Sequence, residues 1–222
     1  MKNKDMAYVA QFLFPDEQHW QGVSEILQEA ESASRVCRLK YNEEDHNQDV
    51  CMHVHKHSSL ICGIKEEDPF GYEIKEPAEL KRACFYLLNC QVPEQSVEGD
   101  ISALLLSRRK YEELREKAGS CTLLFLAESL SAETGDLIQS AQLARVLKEC
   151  TADGELKLCS RDKNEWSIQH ALYIENSSSG WLLRISSEAA EDWVIAVPVT
   201  KAEVCTALYE WLLQPAAVSN SE

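Results

Sequence analysis

Residues 51–57 read Cys51-Met52-His53-Val54-His55-Lys56-His57, a thiol and three imidazoles at alternate positions. Successive side chains of a strand point to opposite faces, so Cys51, His53, His55 and His57 share one face and Met52 and Val54 take the other. Alternate residues of a strand lie about 7 Å apart, close enough for imidazoles to converge on one zinc ion and leave a coordination position open. Such a site would suit a metal-dependent hydrolase. The competing reading is a strand whose Met52 and Val54 enter a core while its histidines face water. Spacing brings no carboxylate or further cysteine to the set, and the corresponding later strand keeps only His170. The expectation is therefore no catalytic residue, no metal and no cofactor, with the histidine strand as the metal-site alternative.

Other chemistry lacks its signature. The nine cysteines include Cys84 and Cys90, and Cys150 and Cys159, but no C-x-x-C, so zinc-ribbon and thioredoxin spacings are missing. An odd count without an export signal favours free thiols, most of them buried. A cysteine paired with one of the six histidines would be a nucleophile, against the commoner inert thiol. Neither G-x-G-x-x-G, nor a phosphate-loop lysine, nor G-x-S-x-G occurs, which removes the basis for nucleotide-dependent and serine-hydrolase readings.

Charge narrows the partners. With 37 Asp and Glu against 22 Lys and Arg, the formal charge of -15 repels phosphate backbones and argues against nucleic acid. An acidic surface suits solubility or a basic or apolar partner. Residues 1–6 carry lysines without an apolar core behind them, and no apolar stretch nears the roughly 18 residues of a membrane span. No membrane insertion and a cytoplasmic location are expected. The acidic runs Glu43-Glu44-Asp45 and Glu66-Glu67-Asp68 fall in expected loops, as solvated charge or as docking charge for a basic partner.

Periodicity sets the elements that hold these residues. Residues 6–13 are rich in strand formers, and a helix carrying Trp20, Val23, Ile26 and Leu27 follows. Residues 34–41 alternate as a half-buried strand, 42–49 form an acidic loop, and 50–56, 60–65 and 70–74 are strands. A helix over 77–89 with Pro77 in its first turn closes this part. After a polar stretch at 91–99, a strand at 101–106 leads into a helix over 108–118 that buries Tyr111 and Leu114. Residues 123–130 favour a short helix, and 132–150 become helical in their later part, with Leu137, Ala141, Leu143, Val146 and Leu147 apolar. Strands at 155–160, 167–174, 181–185 and 193–197 follow. Pro198 stops the sheet pattern, and Thr200 with Glu203 forms a capping-box pattern for a helix over 201–213. Most of the five tryptophans are expected in cores.

The two parts can be overlaid. Residues 77–88 lie over 201–212, pairing Glu79 with Glu203, Ala83 with Ala207, Phe85 with Tyr209 and Leu88 with Leu212, and 60–64 lie over 181–185. This predicts an α+β fold with a pseudo-twofold internal duplication, an antiparallel sheet with helices packed on one face of each half. The expected division is 1–90 as the first half, 91–99 as linker, 100–214 as the second half and 215–222 as a disordered tail. Each half is expected to open with a strand-to-helix unit.

The run Ala103-Leu104-Leu105-Leu106-Ser107-Arg108-Arg109-Lys110-Tyr111-Glu112-Glu113-Leu114 resembles a strand followed by a "Glu-Phe-x-x-Leu"-type helix opening. With Gly180-Trp181-Leu182-Leu183-Arg184 and Val197-Pro198-Val199 before the last helix, it is similar to the EspG-like chaperones of type VII secretion systems. The resemblance covers most of the chain in outline. It implies a cytosolic, non-enzymatic protein that holds a helical export substrate. It further implies that the loop with Asn42, Glu43, Glu44 and Asp45, and the helical region with Leu123, Leu124, Leu143 and Val146, contact the apolar tip of that substrate. The chain is short for the family, residues 119–150 do not clearly reproduce its helical subdomain, and the histidine strand has no counterpart role. The alternatives are an immunity protein neutralising a basic toxin, and the metal-dependent hydrolase built on His53, His55 and His57.

Overall fold

The structure is a computed structural model that describes residues 6–16, 21–55, 58–64, 71–91, 102–162, 165–186 and 192–214 of the 222-residue chain. His57, Trp20, the acidic run 66–68, nearly all of the 91–99 stretch and the 215–222 tail lie outside the described residues.

In chain order the elements are α1 (Met6–Leu13), α2 (Gln21–Ser32), β1 (Arg35–Glu43), β2 (His46–Val54), β3 (Ser59–Gly63), β4 (Gly71–Ile74) and α3 (Pro77–Leu87). They continue with β5 (Leu104–Leu106), α4 (Arg108–Lys117), α5 (Leu123–Thr134), α6 (Leu137–Lys148), β6 (Ala152–Asp162), β7 (Glu165–Glu175), β8 (Gly180–Ile185), β9 (Val194–Val199) and α7 (Lys201–Leu213). The strands form one antiparallel sheet in the order β4-β3-β2-β1-β6-β7-β8-β9-β5. The α+β class is that read from the sequence.

The sheet is continuous through both parts of the chain because β1 pairs with β6 from Arg35↔Ser160 to Glu43↔Ala152. The meanders β1 to β4 and β6 to β9 extend from this seam in mirrored order, each followed by a helix, α3 or α7. Residues 60–64 and 181–185, overlaid in sequence, fall on the third strands of the two meanders. Their openings differ. The first begins α1-α2 and the second β5-α4-α5-α6.

Helices cover both faces of the sheet. α3 and α7 lie together over Leu39, Tyr41, Met52, Ile61, Leu156 and Tyr173. On the opposite face, α1 and α2 pack on Val36, Cys51, Cys159 and Ile168, and α4, α5 and α6 pack on Trp181, Leu183, Val194 and Ala196. Two covered faces explain why β1 has almost no exposed residue, where a one-sided sheet alternates.

Three expectations change. Residues 6–13 are the helix α1, because Met6, Val9, Ala10 and Leu13 recur at the three- and four-residue spacing of a helical stripe, and Val9 and Leu13 are buried in the core. Strand-rich composition misled there, and the first half does not open with a strand. The 42–49 loop is a tight hairpin: β1 and β2 pair up to Glu43↔His46 around the two-residue turn Glu44-Asp45, with Glu44 at a left-handed φ of 37°. Pro198 lies inside β9, opposite Trp181. The ladder bond from Ser186 N–H to Trp193 C=O puts the Trp181–Pro198 pair in a non-bonded register. The missing N–H of Pro198 faces a side that β5 does not reach, since β5 pairs only Val194 to Ala196.

Arg38, though charged, is 1% exposed. It donates from Nε and Nη2 to the Asp49 carboxylate at 3.0 and 2.8 Å and from Nη1 to Leu13 C=O at 2.8 Å, and its guanidinium stacks on Phe14. The buried charge thereby ties the last turn of α1 to the sheet.

Gly180 has a steric task. A Cβ there would lie 2.7 Å from both Tyr173 Oη and the Val199 carbonyl oxygen, whereas nothing lies within 4 Å of a Cβ at Gly119. Gly180→Ala is expected to cost about 1–3 kcal/mol by overpacking and Gly119→Ala close to nothing, as read from urea midpoints.

Candidate functional site

The β1–β2 hairpin end is where the two helical layers meet. Asn42 and Glu43 are neighbours on a strand and point to opposite faces. Asn42 Nδ2 donates to Asp153 Oδ1 at 3.1 Å, and Arg115, in the last turn of α4, donates to the other oxygen of that carboxylate at 3.2 Å. Glu43 turns to the other layer, where Lys201, first residue of α7, donates to both of its oxygens at 3.1 Å. Asn89 Nδ2, at the end of α3, also donates to Glu43, at 3.0 Å.

A second carboxylate completes this cluster. Lys201 Nζ lies 2.6 Å from Glu175 Oε1, Tyr173 donates to Glu175 at 2.5 Å, and Tyr41 donates to Glu43 at 2.9 Å. Burial pushes the Glu43 carboxyl up, but the donors Asn89, Tyr41 and Lys201 outweigh it and hold it below the ordinary carboxylate value. Burial, then hydrogen bonds to the ionised carboxylates, pushes both phenols up. Every polar group here serves another, so the cluster fixes the hairpin and holds no poised acid, base or nucleophile.

Glu43, Glu44, Asp45, His46, Asn89 and Thr151 line a surface cavity of about 440 Å³. α5 starts at the same end of the molecule. Lys148, in the last turn of α6, donates to the carbonyls of Ala118, Gly119 and Cys121 at 2.8 to 3.0 Å, which holds the turn from α4 against α6. Thr122 then caps α5, its Oγ1 accepting from Phe125 N–H. The first turn of α5 leaves Leu124 and Phe125 67% and 43% exposed.

Of the residues expected to meet a partner, Asn42, Glu43, Glu44, Asp45 and Leu124 are thus at one end of the fold. Leu123 is half-buried against the α4–α6 core. Leu143 and Val146 are fully buried in that core, so both leave the candidate surface and hold α6 to the sheet. Phe125, exposed beside Leu124, was not among the residues expected from the sequence. Once Thr122 is taken as N-cap, the buried set Leu126, Ala127 and Leu130 leaves Leu124 and Phe125 off the apolar stripe. The partners of the carboxylates, Lys201 and Asn89, carried no local signal.

The histidine strand is not solvated. Met52 packs toward α3 and α7 while Cys51 and His53 face the layer of α1 and α2, all fully buried. His53 Nε2 and Cys51 Sγ are 3.2 Å apart. Burial, then His55, brings His53 down to about 4, a neutral imidazole, and burial pushes the Cys51 thiol well up. A neutral pair without access to water is no activated nucleophile. His55 lies beyond the strand and contacts Ser32 Oγ at 3.4 Å. Among the described residues no group of three or more His, Cys, Asp or Glu is placed to hold a metal ion.

A polar strip runs along the sheet between the two helical groups of the second face. Glu155 accepts from His170 Nε2 at 2.8 Å and lies 3.7 Å from Lys157 Nζ. Burial pushes the Glu155 carboxyl up, but the bond from His170 and the charges of Lys157, His170 and Lys40 prevail and bring it to about 2. These opposed charges are matched within the fold.

No protein-family profile and no curated protein matches the sequence. Among solved structures the chain is similar to the type VII secretion system chaperone EspG5 of Mycobacterium tuberculosis, determined in complex with the PE25-PPE41 dimer. The TM-score is 0.51 at 11% identity, over 96% of this chain and 94% of that one. At that identity the likeness is one of fold, and it runs the length of both chains. No helix among the described residues is long and apolar enough to cross a membrane.

Two electrostatic outcomes follow. Lys201→Met leaves Glu43 and Glu175 side by side without a cation, which is expected to cost about 1–3 kcal/mol at pH 7. In that variant repulsion raises the Glu43 carboxyl pKa, which Lys201 otherwise helps hold down, so part of the loss returns near pH 5, as urea unfolding at the two pH values would show. Glu155 has its folded pKa below the unfolded value, so its contribution is complete above about pH 4.3 and is lost as pH falls toward 2. Glu155→Gln is expected to remove about 1–2 kcal/mol at pH 6, allowing for solvent screening, with the gap to wild type closing between about pH 4 and pH 2.

Proposed function

We propose that the protein is a non-enzymatic cytoplasmic binding protein that holds a helical export substrate of a type VII secretion system at the β1–β2 hairpin end. The observation that carries this reading is the full-length likeness of fold to a chaperone solved with its PE25-PPE41 partner. The candidate surface supports it. The acidic turn Glu44-Asp45 stands at the end of the molecule where Leu124 and Phe125 are exposed, a pairing of charge and apolar area that suits a helix tip with an apolar anchor flanked by basic residues. The formal charge of -15 favours a basic partner over an acidic one.

The test uses the protein captured with its partner from its own cells, the partner identified by mass spectrometry and re-made pure for titration. Phe125→Asp is expected to weaken binding about 30-fold or more, the loss of one aromatic anchor. Glu44→Lys should weaken it about 3- to 10-fold and flatten its salt dependence. Ile138→Asp changes an exposed apolar residue at the first turn of α6, the opposite end of the α5–α6 pair, and should leave affinity unchanged. Equal losses at Phe125 and Ile138, or a purified partner without a helical tip, would overturn the reading.

A further inference from the structure

The helices α3 and α7 do not reach the β5 edge of the sheet. Their core draws on β1 to β4, β6 and β7, with Leu182 and Val199 packed at its margin. Beyond that margin β8, β9 and β5 continue the sheet, covered on their other face by α4, α5 and α6. The register settles which residues these strands turn to the α7 side. Leu182 pairs with Tyr173 and Arg184 with Ala171, both members of the α3–α7 core, and across the next strands Val197 pairs with Leu182, Ile195 with Arg184 and Leu105 with Ile195.

A sheet face open to water alternates apolar with polar residues. These strands break that rule: β9 is apolar at all six positions and β5 at all three. Val194, Ala196, Leu104 and Leu106 are buried under the α4–α6 helices. Ile195 and Val197 on the opposite face are only half-buried, and Leu105 is 62% exposed. None of these three belongs to any of the three cores. Half-buried Trp193 extends the row, since its carbonyl still accepts the ladder bond from Ser186 N–H. One charge stands in the strip. Arg184 is exposed, is the sole charged side chain that β8, β9 and β5 turn to this face, and has no hydrogen-bond or ion-pair partner among the described residues.

Dimensions select the occupant. Three strands at about 4.8 Å spacing make a shelf roughly 10–14 Å wide, and the length of β9 makes it about 20 Å long. A helix with its side chains is about 10–12 Å across and packs about 8–10 Å from its neighbour. One helix of about 13 residues therefore fills the shelf beside α7 as a third member of that layer. A second copy of the chain fits less well. The shelf offers a few hundred Å², short of the roughly 800 Å² per partner that a stable dimer buries, and two chains of formal charge -15 repel.

We propose that this shelf docks an amphipathic helix of a partner protein, its apolar stripe over Leu105, Ile195 and Val197 and a carboxylate beside the stripe paired with Arg184. Apolar area supplies the attraction, and the unmatched guanidinium sets the helix's register and its choice of charge. The inference does not rest on the chaperone reading. It uses a different surface, and it calls for an acidic residue where the hairpin end calls for basic ones.

The experiment is titration of the full chain, followed by amide NMR, with an amidated model peptide of about 14 residues that places leucines at i, i+3, i+4 and i+7 and one glutamate beside them. A twin peptide carries lysine in place of the glutamate. The glutamate peptide is expected to shift amides centred on β5, β8 and β9 and to bind about 5-fold or more tightly than its twin, with the order inverted in Arg184→Glu. Leu105→Asp, at an exposed position outside the cores, should weaken binding about 10-fold. Phe125→Asp should leave it unchanged, which separates failure at this shelf from failure at the hairpin end. Shifts absent from these strands or centred on the start of α5, equal affinity for the two peptides, or a dimer in sedimentation that hides the shelf would each overturn the proposal.

Discussion

The structure depends on the antiparallel seam between β1 and β6. Nine residues of β1 pair with β6, and through that contact two meanders become one nine-stranded sheet. An edge strand is a row of unpaired amides and carbonyls that must be covered or paired. The seam removes two such edges, and the remaining ones are the short strands β4 and β5. It also brings α3 and α7 side by side over the middle of the sheet, where Leu80, Cys84, Val204 and Leu208 share one core with Leu39 and Leu156.

The same seam builds the candidate surface. Glu43 is the last residue of β1 and Ala152 the first of β6, so the hairpin turn, the start of β6 and the end of β7 arrive at one end of the fold. There the first part of the chain supplies Tyr41, Glu43 and Asn89 and the second supplies Glu175 and Lys201. A cluster with partners from both parts resists deletion of any one charge, because the others are left unmatched in a partly dry setting. The hairpin therefore stands as a rigid projection.

How far the sequence could be read depended on whether a signal was local. The helix over 201–213 was fully legible, since Thr200 and Glu203 form the capping box seen in the structure and its apolar positions recur at helical spacing. The meander strands were legible in the same way. α1 was not, because Tyr8, Val9 and Phe12 raise strand propensity while its stripe of Val9 and Leu13 spans only two turns, too few for periodicity to outweigh composition. Of the residues expected to meet a partner, Glu44, Asp45 and Leu124 are exposed at the hairpin end, while Leu143 and Val146 are buried: an apolar residue on a helix gives no sign of whether its stripe meets the sheet or a partner. The histidine face of β2 was misjudged for a related reason, since a second layer of helices, far away in sequence, covers it.

The sequence by itself determined the α+β class, the closing helices with the capping box of α7, and the net acidity of the chain. Each of these follows from neighbours along the chain or from a sum over it. Only the tertiary structure decided that the sheet is covered on both faces, that Cys51 and His53 are buried together, and that Lys201 bridges Glu43 and Glu175. Those outcomes depend on which distant segments share a face, and that is set by the pairing of β1 with β6, where the free energy comes from burying whole surfaces together and leaves no local mark on the residues involved.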